Sequence, residues 1–309
     1  MLEKFKNLQG IVSRWRAWWE GSDAPPPPPP KPAEKKDEPP PLMYSAPVDD
    51  IPQTEEKPVW QGTRLDLLRE LWGEGNAAPT EKEFFTMMYG QLKLNSSMSV
   101  LDVGDGVGGA SIHMAKEYGA YVDAYISNPD YEAAAERLVE QKGVQAHVRI
   151  FTYDIDNFRP EKHYDVASVR RSLWRVPDVK EFINILNDNL KPNGRIVIAD
   201  YMDEQEGVRS ELMSAWYAQE RYRQSVSVGQ LTKFLEAAGY TVRVAQDITA
   251  EHLGEIRRGL ANLPRFLRRV EVPENVKGTI LREADRWGTR AELLQGGLKF
   301  YRFFAQKNK

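Results

Sequence analysis

Cysteine is missing from all 309 residues. That excludes thiol nucleophiles, disulfides and cysteine-held metals, and leaves the redox compartment open. Histidine is scarce as well. His113, His147, His163 and His252 are far apart and show no metal-ligand spacing, so no metal is expected. No apolar run approaches the roughly 20 residues of a membrane span. Nothing has the form of a signal peptide, so a cytoplasmic chain is expected. An excess of either charge is lacking too: 42 Lys and Arg against 45 Asp and Glu leave a net charge of -3. That argues against nucleic acid as a partner held by bulk charge. What is present is an ordinary globular share of apolar residues, 41%, enough for a sizeable core.

Residues 1–21 stand apart. Phe5, Leu8, Val12, Trp15 and Trp19 recur at spacings of three and four, which lines one helical face. Lys4, Lys6, Arg14 and Arg16 outweigh Glu3 and Glu20. A basic, Trp-rich amphipathic helix suits a membrane interface or a groove on a partner protein. Residues 22–59 follow as a linker, with PPPPPP at 25–30 and PPP at 39–41. Such runs prefer stiff polyproline II, at about 3.1 Å per residue. A stiff spacer behind an amphipathic helix reads as a tether. It places the chain in the cytoplasm, at the cytoplasmic membrane face or in a larger assembly.

From residue 60 strands and helices alternate. SVLDVG (99–104), AYVDAYIS, HVRIFTYD (147–154), HYDVASVR (163–170), RIVIADYM (195–202), TVRVAQDI and LKFYRFFAQK read as strands. ASIHMAKEYG, DYEAAAERLVEQKG, DVKEFINILNDNLKPNG and SVGQLTKFLEAAGY read as the helices between them, the third stopped by Pro192 and Gly194. Asn128-Pro129 opens the second. Alternation at this spacing predicts an α/β fold with a mostly parallel sheet and helices on both faces. Residues 250–295 form a charged helical insertion before the last strand. Residues 60–309 are thus one domain.

Gly104-Asp105-Gly106-Val107-Gly108-Gly109 follows the first strand, at the ligand-binding end of such a sheet. Gly104 and Gly106 allow a close backbone approach to a cofactor. The run LDVGDGVGG, the pair Asp154-Ile155 and the stretch LKPNGRIVIADY resemble class I S-adenosylmethionine-dependent methyltransferases. LWGEGN, LKPNGRIVIADYMDE, SAWYAQERYRQSVSVGQLTKFLEAAGY and GLKFYRFFAQK resemble the phosphoethanolamine N-methyltransferases in particular. The resemblance implies a Rossmann-like sheet of seven strands with the last antiparallel, and S-adenosylmethionine as cofactor.

It also implies roles. Asp102, Gly104, Gly106, Asp154, Ile155 and Arg170 stand at cofactor positions. Tyr201 and Arg221 stand at phosphate-binding positions, and Arg223 replaces a second tyrosine there. Other positions depart from the family. Asp105 sits between the glycines, where a small residue is usual. Ile126 replaces the acid that grips the cofactor ribose, at a cost of roughly 1.5–3 kcal/mol per lost charge-assisted bond. Ser127 and Asn128 offer neutral replacements. Trp60, Arg171 and Arg175 stand where the family has a tyrosine, an acid and a histidine acting on the substrate amine. Arginine does not deprotonate and tryptophan offers only an indole N–H. VRRSLWR therefore sets Arg170, Arg171 and Arg175 where a cationic amine would sit. Three cations there predict an anionic small molecule or an acidic partner.

Two readings follow. One is a pseudo-methyltransferase, a tethered scaffold or interaction module whose helix 1–21 docks on a protein or membrane. The other is an active S-adenosylmethionine-dependent enzyme with a small anionic or lipid-related acceptor, since methyl transfer can run largely by positioning.

Overall fold

The computed structural model describes residues 59–308 except 61, 81, 105 and 205–209. The docking face at Phe5, Leu8, Val12, Trp15 and Trp19, nearly all of the linker, and Asp105 lie outside the described residues.

Helix α1 (Arg64–Trp72) starts at a capping box. The Thr63 hydroxyl accepts from the Asp66 amide and the Asp66 carboxylate accepts from the Thr63 amide. Helix α2 (Lys82–Tyr89) leads to strand β1 (Ser99–Gly104), buried along all but its first residue. Then come α3 (Gly109–Tyr118), β2 (Tyr121–Ile126), α4 (Glu132–Gln141), β3 (Val148–Thr152), β4 (Tyr164–Arg170) and α5 (Val179–Asp188). Strand β5 (Leu190–Met202), α6 (Glu211–Glu220), α7 (Val228–Ala237) and β6 (Tyr240–Asp247) follow. The insertion is a pair of long helices, α8 (Thr249–Arg269) and α9 (Glu274–Gly296), before β7 (Lys299–Lys307).

The seven strands form one sheet in the order β3-β2-β1-β4-β5-β7-β6. β1 to β5 pair in parallel, and β7 runs antiparallel between β5 and β6. The expected mostly parallel sheet of seven strands with the last antiparallel is the observed one. Two details differ. Pro192 and Gly194 do not end α5, which already stops at Asp188; they lie inside β5, where the register against β4 shifts between Tyr164 and Val166. Helices α1 and α2 were not anticipated, and α6 is read from the sequence only as a helix end at Arg221 and Arg223. α2 (KEFFTMMY) is only eight residues long, too short for a sustained helical period, and α6 (ELMSAWYAQE) has apolar residues all round.

Two layers of core flank the sheet. On one side Leu67, Leu68 and Trp72 of α1 pack with Met88, Ile256 and Trp287. On the other, Val179, Phe182 and Ile183 of α5 pack with Leu231 and Leu235 of α7. Trp72 and Trp287 meet edge to face at 4.8 Å, which pins the insertion onto the N-terminal helix.

Candidate functional site

The parallel register sets three residues level at the carboxyl end of the sheet. Gly104 closes β1 opposite Ile126 of β2 on one side and Arg170 of β4 on the other. Lacking a Cβ, Gly104 leaves a space, and the Arg170 guanidinium lies in it: a Cβ there would be 2.6 Å from Nη2. Arg170 Nη2 donates to both carboxylate oxygens of Asp102, at 3.0 and 2.9 Å. Ser111 Oγ donates to the same carboxylate at 2.6 Å. Both charges are buried, Asp102 at 3% and Arg170 at 4% exposure.

The glycine turn is engaged from the other side as well. The Gly75 carbonyl accepts the amides of Val107 and Gly109, each at 3.0 Å. Those amides open α3, where a helix N-terminus would otherwise offer donors to an anion. The cavity left between Asp102, Gly104, Gly106, Ile126 and Arg170 is about 10 Å³, the room of a single water. Beneath it Tyr89 contacts Ser168 at 3.2 Å, and burial pushes its phenol up to about 12.

The neutral groups beside Ile126 have other partners. Ser127 Oγ accepts from Arg175 Nη1 at 2.7 Å, and Asn128 Oδ1 caps the following turn through the Asp130 amide. Asp154 is exposed and caps the turn after β3, accepting from the Asp156 amide and from Asn157 Nδ2. Those bonds hold its carboxyl below the usual range. Ile155 packs partly buried against the α5 side of the core.

The arginine cluster expected at residues 170–175 is not presented as three cations. Arg170 turns inward to Asp102. Arg171, at φ 49° and 3% exposure, reaches Pro79 O and Thr80 Oγ1 at 3.4 Å. Only Arg175 remains half-buried at a cavity wall. The reason is local: Arg170 is the last strand residue and faces the gap over Gly104, while the left-handed turn at Arg171 sends the next side chain under the Pro79-Thr80 segment. Trp60 packs edge to face on Phe266 of the insertion, 5.4 Å between centroids.

Tyr201, Arg221 and Arg223 are not brought together either. Tyr201 is 2% exposed, with its hydroxyl 3.1 Å from His252 Nε2. Arg223 lies on the surface and pairs with Asp156. Arg221 caps α6 in a left-handed conformation, φ 55°, and lines a second, larger cavity.

That cavity, about 320 Å³, opens between the end of β2, α6 and α9. Arg64, Arg175, Arg221, Arg286 and Arg290 line it, with Glu220. Arg286 Nε and Arg290 Nη2 each lie 3.0 Å from Glu220. Glu283 stands behind, 2.8 Å from Arg64 and 3.6 Å from Arg286. Burial would push its carboxyl up, but the bond from Arg64 and the charges of Arg64, Arg286 and Arg290 outweigh that and hold it below the usual range. Sequence reasoning missed Arg64, Arg286 and Arg290. The readable signal was the spacing of Glu283, Arg286 and Arg290, three and four apart along one face of α9. Among the described residues no cluster of His, Asp and Glu could hold a metal ion.

Sheet order, antiparallel β7 and the glycine turn after β1 define a class I S-adenosylmethionine-dependent methyltransferase fold. A profile described as a methyltransferase domain matches residues 82–244, more than half of the chain. The chain therefore belongs to that family, and its relatives there include the phosphoethanolamine N-methyltransferases. Phosphoethanolamine N-methyltransferase 1 of Zea mays is 27% identical over 209 residues, 65% of this chain and 40% of that protein. The chain thus spans less than half the length of that relative. The fold is shared with Haemonchus contortus phosphoethanolamine N-methyltransferase 2 bound to phosphomonomethylethanolamine and S-adenosylhomocysteine: TM-score 0.68, 18% identity, 81% of this chain and 59% of that one. It is shared also with the [4+2]-cyclase SpnF: TM-score 0.59, 14% identity, 82% and 88% coverage. One fold thus carries more than one named chemistry.

Proposed function

We propose that this chain is a pseudo-methyltransferase, a member of the family that keeps the fold as a binding scaffold and has given up turnover of S-adenosylmethionine. One observation carries the reading: the buried Arg170–Asp102 pair lies across the glycine turn and leaves about 10 Å³ there. As arranged, the described residues at the turn argue against a fit for the cofactor. The guanidinium fills the space that Gly104 leaves. Moving it aside would leave Asp102 buried without its cation, which is costly. Ile126 at the ribose position, with Ser127 and Asn128 engaged elsewhere, points the same way. So do Trp60, Arg171 and Arg175, none of which can act as a base near neutral pH.

The test is calorimetric titration of the full chain with S-adenosylmethionine. The expected result is no saturable heat up to millimolar ligand. Saturation at micromolar concentration would overturn the reading and favour an active methyltransferase. In the scaffold reading, residues 1–21 and the linker 22–59 supply the attachment to a membrane or protein assembly. Deleting residues 1–21 is expected to change the chain's distribution on cell fractionation.

A further inference from the structure

The solvent face of α8 carries an inference that rests neither on the glycine turn nor on either cavity. We propose that this face docks the domain on a lipid surface with anionic headgroups, through Arg257, Arg265 and Arg268.

The helix is divided by charge. Ile256, Leu263, Phe266 and Leu267 bury its inner side in the core. At about 100° per residue, Arg257, Arg258, Arg265, Arg268 and Arg269 fall within about a third of the circumference. All five are exposed, on the side away from that core. From Arg257 to Arg269 the face is about 18 Å long. An exposed helix flank ordinarily mixes the two signs of charge. This one does not: of the two acids on α8, Glu255 is buried and Glu251 stands in the first turn, before the arginines begin.

The neighbouring helices do not neutralise the face. Glu70 of α1 takes Arg269 at 3.0 Å, and Glu274 of α9 takes Lys277. Arg257, Arg265 and Arg268 have no ion pair among the described residues. Guanidinium groups on a convex flank form no pocket for a small ligand. A flat layer of phosphates can meet all of them at once, and cations close to such a layer are drawn to it.

The end of the helix favours lipid over other polyanions. Val59 is 51% exposed and bridges to Glu271, just past the last arginine. The Trp60 amide donates to the Glu271 carbonyl at 2.8 Å, which fixes Val59 at that place. An apolar residue beside cations suits a bilayer interface, where both are satisfied. It gains nothing from a nucleic-acid backbone or an acidic peptide. Val59 is also where the chain from residues 1–58 joins the domain. The basic, Trp-rich segment 1–21 is therefore attached at the same end as the arginine face, and one surface can receive both.

The experiment sediments the full chain with vesicles of phosphatidylcholine, alone or with about 30% phosphatidylserine. Binding to the anionic vesicles is expected, at least tenfold tighter than to the neutral ones and weaker in high salt. Arg257→Gln, Arg265→Gln and Arg268→Gln combined should weaken it by about tenfold or more, since one arginine near an anionic surface is worth about fivefold. Lys180→Gln with Lys233→Gln, exposed on α5 and α7 across the sheet, should leave it unchanged. Deleting residues 1–21 separates this face from the N-terminal segment. The shortened chain should still prefer anionic vesicles, and should lose that preference with the three arginines replaced. No preference for phosphatidylserine, an equal loss in the lysine variant, or full binding by the arginine variant would overturn the proposal. So would binding of polyglutamate without binding of vesicles, which would assign the face to an acidic protein. Titration with S-adenosylmethionine does not bear on these outcomes, so this inference and the pseudo-methyltransferase reading fail separately.

Discussion

Gly104 and Arg170 share one space: the guanidinium occupies what a Cβ on the glycine would fill, 2.6 Å from Nη2 and 3.0 Å from Cζ. Gly104→Ala must therefore push the guanidinium off Asp102. Overpacking of this kind costs about 1–3 kcal/mol. The cost should be smaller in an Arg170→Ala background, where the methyl has room. A double-mutant cycle by urea unfolding reads the coupling. Purely additive effects would mean that the two residues do not compete.

Arg170 also neutralises a buried carboxylate. Arg170→Met strands Asp102 with the Ser111 hydroxyl as its remaining donor. Removing one partner of a buried pair costs about 3–5 kcal/mol. Adding Asp102→Asn should recover part of the loss, because an amide has no charge to bury. Equal stability of the single and double variants would count against a charge-based account.

Glu283 predicts a pH signature. Its folded pKa lies below the unfolded value, near 4.3 for glutamate. The stabilisation is therefore complete above about pH 4.3 and is lost as pH falls through the lower folded value. Glu283→Gln at neutral pH should cost about 1–3 kcal/mol; Arg64 at 37% and Arg286 at 29% exposure retain water that softens the loss. The gap between variant and wild type should narrow below pH 4. A gap that stays constant from pH 7 to 3 would contradict this.

Gly259 on α8 has no room for a side chain. A Cβ there would sit 1.9 Å from Cζ3 of Trp72, which is 6% exposed and packed on Trp287. Gly259→Ala should destabilise by about 1–3 kcal/mol or more. Trp72→Leu in the same chain should relieve part of that, as denaturant midpoints would report. No relief would place the strain elsewhere.

The sheet was legible because its strands are short apolar runs with glycine or proline at the joints, and such patterns are local. The glycine turn and Ile126 were legible for the same reason, and the register places them side by side. The destinations of the arginines were not. Arg170 and Arg171 are adjacent and equally charged, yet one pairs with Asp102 and the other lies under Pro79 and Thr80. Which way each turns is set by a missing Cβ and a left-handed residue, and neither leaves a mark in composition. The larger cavity was hidden by distance along the chain: Arg64 at its wall and Glu283 behind it are 219 residues apart.

The position of β7 has a consequence for how the chain is made. β5 and β6 do not touch as strands; β7 lies between them and is synthesised after both. Until residues 299–307 have left the ribosome, β5 presents an open edge and β6 has nothing to pair with. Unpaired edges of this kind invite association with other chains. Five of the seven strands can pair during translation, and β6 must wait for the last, nine-residue strand. A nascent chain stalled before Lys299 is therefore the species in which aggregation, not folding, has the advantage.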